Sequence, residues 1–474
     1  MRNQIGSFIK NFSYSFFSNI VSVFINIVVL LVLPKVLSLE NYGYYQLYMF
    51  YSGYTGFFHL GWCDGIYLRY GGKNYSQLDN PLFSLQFWSI LFFEIILTTF
   101  ISIFVYISNI NISVKFILIF TLLTIIIIIP KTMLSYILQA TNRIKAYSFV
   151  TISERIVFLL LLIVLIVCHN TSYISILIVD MIGKIISLAI AILFCRTIVF
   201  SRILRFSKGM KEIIHNISVG SKLMIANIAS TLILGIIRQS IQSHWSIETF
   251  GKISLSITIS NMLMLFVGTV SIVLFPMLRR MESRRIVSIY NYMRAALMLF
   301  LLGMLIFYYP IYYGISRWLP VYQDSLIYMS ILFPVCIYES KMTMLINTYL
   351  KTLRKEKVLL FVNLLTVAMS LLLTFINVWV LNNLNMTIVS IIVLFAFRCI
   401  ISEFILSRYI NICIKKDICL EMFLTIVFIS TSWFIGGIEA FIIYSLSYIG
   451  YIFMKRKDLA YLLNKLKNKS NVIS

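Results

Sequence analysis

About fourteen stretches of this chain are apolar on the scale of a bilayer crossing, the last two shorter than the rest, and no other feature narrows its fold so far. An α-helix rises about 1.5 Å per residue, so roughly 20 apolar residues cover the hydrocarbon core. The runs lie near residues 11–34, 43–65, 85–107, 115–138, 147–168, 173–195, 217–241, 251–276, 290–313, 325–349, 358–381, 386–408, 420–435 and 438–454. Hydrocarbon offers no water to backbone amides, so each run must close its own hydrogen bonds as a helix. The alternation expected of barrel strands is absent. Composition agrees: only 12% of the residues are charged, against about 25% in an average soluble domain. The expectation is an all-α integral membrane protein with about 14 transmembrane helices. The first run has no small-residue cleavage site and is too long for a signal-peptide core, so it reads as a retained span.

Basic residues orient the spans. With the loops counted from one to thirteen, even loops carry clusters such as Arg202, Arg205, Lys208 and Lys211, or Arg279, Arg280, Arg284 and Arg285. Odd loops hold only Lys35, Lys115 and Arg317. Loops rich in Lys and Arg stay in the cytoplasm, which places both termini there. The net charge of +23 is largely this bias plus the tail KRKDLAYLLNKLKNK, which suits an anionic lipid surface. No basic segment is long enough to fold alone, so no nucleic-acid role is expected.

One short phrase occurs twice. LSLENYGYYQL, from Leu37 to Leu47, aligns without a gap on WSIETFGKISL, from Trp245 to Leu255. Ser38 meets Ser246, Glu40 meets Glu248, Tyr42 meets Phe250 and Gly43 meets Gly251. At the same offset Asn19-Ile20-Val21-Ser22 meets Asn227-Ile228-Ala229-Ser230. Six spans separate the copies, so the two halves share one orientation. This is a parallel repeat about an axis along the membrane normal, a plan known among transporters.

The segment LPKVLSLENYGYYQLYMFYSGYTGFFHLGWCDGIYLRYGGK resembles the first helical hairpin of Wzx-type polysaccharide flippases, which serve O-antigen and capsule pathways. These belong to the multidrug/oligosaccharidyl-lipid/polysaccharide (MOP) exporter superfamily. SVGSKLMIANIASTLILGIIRQSIQSHWSIETFGKISLSI, followed by VLFPMLRR, resembles the start of their second lobe. The likeness runs over roughly residues 5–410, specific in these two stretches and topological elsewhere. It implies a MATE-like architecture of two parallel-related six-helix lobes, 1–212 and 213–412. An extra helix pair with a basic cytoplasmic tail follows at 413–474. It also implies a function: alternating access that flips an undecaprenyl-pyrophosphate-linked oligosaccharide from the cytoplasmic to the outer leaflet of the bacterial inner membrane. The load would be an O-antigen or capsule repeat unit of lipopolysaccharide or capsular polysaccharide biosynthesis. Implied partners are that lipid-linked oligosaccharide, polysaccharide assembly proteins, and Na+ or H+ as a coupling ion. One departure stands out. Such proteins often carry an acid beside the base that matches Arg238, but here the neighbours are Ile237 and Gln239.

A pyrophosphate needs cations inside the membrane, and a sugar chain needs hydrogen-bonding and aromatic groups. Charges at mid-bilayer are costly and so face a cavity or each other. Bases in or at the ends of spans are Lys131, Arg155, Lys184, Lys222, Arg238, Arg294, Lys341 and Arg398; acids are Glu94, Glu154, Asp180, Glu339 and Glu403. Asp180 and Lys184, four apart with the acid first, read as a structural pair. Arg398 and Glu403 are a second candidate pair. Lys222, Arg294 and Arg155 lie near cytoplasmic ends, where long side chains snorkel to the headgroups. The candidates for a cationic cavity are Arg238 and Arg398, then Lys222 and Lys131. The candidates for a sugar-facing wall are Tyr48, Tyr51 and Tyr54 on the second span, with Asn19 and Asn227. Gly61 and Gly65 on that span have the spacing that lets helices approach closely.

Other chemistries are set aside. The seven cysteines form no CxxC, the four histidines lack metal-ligand spacing, and no Walker motif is present. No metal, cofactor or enzymatic activity is expected. Two other readings stay open. A MATE-like drug or cation antiporter would use a deep carboxylate, for which Glu94, Asp180, Glu339 and Glu403 qualify. An oligosaccharide polymerase or membrane glycosyltransferase would need acids or Arg in a sizeable outer loop, and the loops near 108–114, 169–172 and 382–385 are short and hold no acid.

Overall fold

The computed structural model describes residues 20–202, 206–279 and 283–456, without the side chains of 206–208, 263, 265–289 and 356. Among the described residues the secondary structure is helical throughout, with no strand. The helices are α1 Ile20–Val36, α2 Leu39–Ser52, α3 Trp62–Tyr70, α4 Asn80–Ile107, α5 Ile112–Ala140, α6 Ile144–Val167, α7 Tyr173–Phe194 and α8 Phe206–His244. They continue as α9 Ile247–Arg279, α10 Ser283–Met304, α11 Tyr308–Trp318, α12 Met329–Thr352, α13 Glu356–Thr374, α14 Leu384–Ile410, α15 Lys415–Ser430 and α16 Gly437–Met454. Eleven spans among the described residues are long and apolar enough to cross a membrane.

Local chemistry sets many helix starts. Asp79 Oδ1 accepts the Leu82 amide ahead of α4, Asn111 Oδ1 the Ser113 amide ahead of α5, and Asn383 Oδ1 the Met386 amide ahead of α14. Each satisfies a donor that a helix N-terminus leaves bare. The repeated phrase does the same twice. Ser38 Oγ accepts the Asn41 amide at 3.2 Å, and Ser246 Oγ accepts the Thr249 amide at 3.2 Å. Both phrases close one helix, at Val36 and His244, and open the next two residues after a bend, at Leu39 and Ile247. Glu40 and Glu248 lie in the new first turns, where the helix dipole favours an acid. The two half-phrases thus build one helix-bend-helix in register.

The second expected span, 43–65, is not one helix. After α2 comes a short 3-10 turn at Thr55–Phe57, then Leu60 and Gly61 in left-handed conformation (φ +53° and +84°), then α3. Glycine is the poorest helix former after proline and takes positive φ freely. Close packing reinforces the break. A Cβ on Gly61 would lie 2.5 Å from the Ser221 backbone nitrogen, and one on Gly65 would lie 1.9 Å from the Asn216 carbonyl oxygen. The start of α3 therefore rests directly on the backbone of α8.

The chain divides into two compact units, 1–228 and 229–474, with the division inside α8. In the first unit Ile66, Phe83, Ile90, Ile125, Ile129 and Met133 from α3, α4 and α5 form the centre of the core. Phe92, Phe100 and Phe104 on α4 form an exposed apolar stripe, the inverse of a soluble helix and suited to lipid. In the second unit α12 is the most buried of the eleven spans, packed against α9 and α14. The last two helices, α15 and α16, belong to this second unit.

Candidate functional site

The buried charges of the second unit gather around α12. Glu339 and Lys341 are two residues apart on that helix, so they leave it on different sides. Arg398 and Glu403 on α14 are five apart and also diverge. The result is a crossed pair of ion pairs. Arg398 Nη1 lies 2.7 Å from Glu339 Oε2, and Lys341 Nζ lies 2.5 Å from Glu403 Oε2. The expected association of Arg398 with Glu403 does not form, because five residues of helix turn the two side chains away from each other. Arg398 is 2% exposed. Its Nε donates to Asn363 Oδ1 on α13 at 2.9 Å and its Nη2 to Ser230 Oγ on α8 at 2.8 Å.

On the other side of α12 a larger network forms. Arg294 Nε on α10 donates to Glu403 Oε1 at 2.7 Å and Nη1 to Asp417 Oδ2 at 3.0 Å. Its Nη2 lies 2.8 Å from Glu421 Oε1, a charge contact without hydrogen-bond alignment. Lys341 Nζ donates to Glu421 Oε2 at 2.7 Å, Tyr290 donates to Glu403 Oε1 at 3.0 Å, and Lys455 donates to Asp417 Oδ1 at 2.6 Å. Three bases meet three acids, so the cluster is neutral. Arg294, for which the sequence allows snorkelling or a place in the interior, is 2% exposed and held in by acids from α14 and α15. Asp417 and Glu421 are not among the charges that the sequence places within spans. Asp417 lies just before the run at 420–435 and Glu421 in its first turn, and an acid at that place in a predicted span was the available signal.

In the first unit Tyr48 is completely buried. Its hydroxyl donates to Asp180 Oδ2 at 2.5 Å and accepts from Lys184 Nζ at 2.8 Å, while Lys184 also pairs with Asp180. The structural pair expected on α7 therefore includes Tyr48, whose ring lies inside the helix packing and not on an open wall. Lys131 on α5 pairs with Glu154 on α6. Tyr51 and Tyr54 are half-buried, each with its ring centroid 5.3 Å from that of Phe50. Lys222 and Asn227 are exposed on α8, and Asn19 lies outside the described residues. In the second unit Arg238 Nη2 donates to Ser254 Oγ at 3.0 Å, and its guanidinium carbon lies 5.3 Å from the Phe250 ring centroid. Within each unit the sequence-predicted bases are thus dispersed over separate helices. Of the cavity candidates, Lys131 and Arg398 meet carboxylates.

No family model matches this sequence, and no curated protein matches it. Solved structures do. The lipid II flippase MurJ in its inward closed conformation matches with a TM-score of 0.68 and 13% identity, over 95% of this chain and 99% of that one. The inward-facing conformation of a multidrug resistance MATE family transporter of the MOP superfamily matches with a TM-score of 0.61 and 12% identity, over 83% and 98%. An outward-facing MATE structure gives 0.54 and 11%, over 85% and 96%. The fold is that of MATE and MurJ transporters, and the chain is a multi-pass membrane protein.

Proposed function

We propose that this protein is a flippase. It moves a lipid-linked oligosaccharide, carried on a pyrophosphate, from the cytoplasmic to the outer leaflet of a bacterial cytoplasmic membrane by alternating access, without catalysing a bond change. The observation that carries this reading is the extent of the likeness. A match over 95% of the chain must take in part of α15 and α16, whereas matches over 83–85% have room to omit them. The fuller match is to a protein that flips a lipid-linked substrate. The helix pair is also bonded into its unit here: Asp417 and Glu421 hold Arg294 and Lys341.

Arg398 and Arg238 are the bases we assign to the anionic head. Arg398 presents a planar fork suited to phosphate oxygens. Its partner Glu339 keeps 17% of its side chain exposed. A doubly charged pyrophosphate can compete with one carboxylate for that fork. The test is surface polysaccharide in a deletion strain complemented by variants, normalised to membrane protein. Arg398→Ala should lower export by about tenfold, or ~1.4 kcal/mol. Arg398→Lys should keep part of it. The double change Arg398→Ala with Glu339→Gln removes the stranded acid, so abundance should recover while export stays low. Full export from the double variant overturns the assignment. The MATE-like antiporter remains the second reading, favoured by the 0.61 match over 98% of a MATE chain. It predicts drug sensitivity in the deletion strain with normal surface polysaccharide.

A further inference from the structure

The second unit contains a cavity of about 700 Å³ whose walls include none of the ionic side chains described above. This volume lies in the range of small-molecule sites, ~300–1,000 Å³. The sequence YYPIYY on α11 lines the cavity with Tyr308, Tyr309, Tyr312 and Tyr313. The wide turn that follows α15 adds Ser432 and Trp433 to the lining. Tyr309 ties the walls together: its hydroxyl donates to the Ala440 carbonyl at 3.0 Å and accepts from Ser432 Oγ at 3.1 Å. The hydroxyls of Tyr308 and Tyr312 and the indole N–H of Trp433 differ. Among the described residues they have no hydrogen-bond partner. Tyr308 is buried and Tyr312 and Trp433 are half-buried, and such side chains ordinarily find a partner as they leave water.

Ring faces combined with spare hydroxyl and N–H groups constrain the occupant. A hydrocarbon chain would cover the rings and leave the polar atoms unsatisfied, at a cost for each. A charged headgroup or phosphate finds no countercharge, since no charged residue lines the cavity. A neutral pyranose fits both demands: its axial C–H face lies on an aromatic ring, and its rim of hydroxyls bonds outward. We infer that this cavity is a binding site for a neutral sugar ring of the transported oligosaccharide. The identification of the sugar as cargo rests on the flippase reading; the binding chemistry does not.

The experiment uses the full chain in lipid nanodiscs and saturation-transfer-difference NMR. The probes are the methyl pyranosides of glucose, galactose, mannose and N-acetylglucosamine. At least one should receive transfer on its ring C–H protons. That signal should fall at least fivefold in Trp433→Ala and in Tyr312→Ala, and at least twofold in Tyr312→Phe, which removes only the hydroxyl. Trp433→Phe keeps a ring face and should retain part of the signal, which separates loss of binding from loss of folding. Decylphosphocholine, which carries a chain and no sugar, should not displace the pyranoside. The proposal is overturned if no pyranoside signal exceeds that of empty nanodiscs, if Trp433→Ala leaves it unchanged, or if decylphosphocholine abolishes it. A pyranoside signal in a protein whose deletion leaves surface polysaccharide intact would keep the site and remove the flippase reading. Lost export with no pyranoside signal would do the reverse.

Discussion

Single side chains in this protein are best understood through what they leave behind when removed. Lys341 is 2% exposed and lies between Glu403 and Glu421. Lys341→Met deletes one cation and strands a carboxylate in a place without water. Breaking a buried pair in this way costs about 3–5 kcal/mol. Its melting temperature in detergent, read by fluorescence-detected size exclusion, should drop sharply. Adding Glu421→Gln restores neutrality, because Arg294 and Lys455 then face Glu403 and Asp417. The double variant should regain most of the loss. A double variant no better than the single one would show that packing, and not charge balance, governs this cluster. These pairs were only partly legible in the sequence. Asp180–Lys184 could be read because both partners sit on one helix four residues apart. Arg398–Glu339 and Arg294–Glu403 could not, because their partners meet only after three separate helices, α10, α12 and α14, have packed.

At the scale of elements, the aromatic and glycine-rich segment after Leu39 shows how hydropathy misleads. Its apolar residues suggest one span, yet Gly61 takes a left-handed turn and α3 begins afresh. The glycines are not equivalent. A Cβ at Gly65 would meet the Asn216 backbone 1.9 Å away, while a Cβ at Gly56 would meet nothing within 4 Å. Gly65→Ala should therefore cut membrane abundance several-fold, because backbone of α8 cannot step aside as a side chain can. Gly56→Ala should stay near wild type. Equal abundance of the two variants, measured by quantitative blot of membranes, would contradict the close approach of α3 and α8. The spacing of Gly61 and Gly65 signalled that approach in advance. The identity of the partner helix did not follow from spacing.

For the molecule as a whole, the question is whether the last two helices are an appendage. The ion network says that they are not. Removing residues 413–474 takes Asp417, Glu421 and Lys455 away and leaves Arg294 and Lys341 facing Glu403 alone. One buried cation then lacks a partner. A chain ending at residue 412 should accumulate poorly and melt early, beyond any loss of transport. Wild-type abundance and melting of that shortened chain would show α15 and α16 to be dispensable to the unit.

The sequence alone determined the class of fold and much of its local grammar. Hydropathy sums over a window of about 20 neighbours, and helix caps act over three, so both are local and both can be read without coordinates. That is why the long apolar helices were expected and found, and why the repeated phrase folds the same way at Ser38 and at Ser246. The tertiary structure alone decided which charges meet, where the second span breaks, and which tyrosines keep a free hydroxyl. Tyr48 lost its hydroxyl to Asp180 from a helix 132 residues away, and Arg398 took Glu339 in preference to its own neighbour in sequence. Such choices depend on the angle and depth at which distant helices pack, and no window along the chain contains both partners.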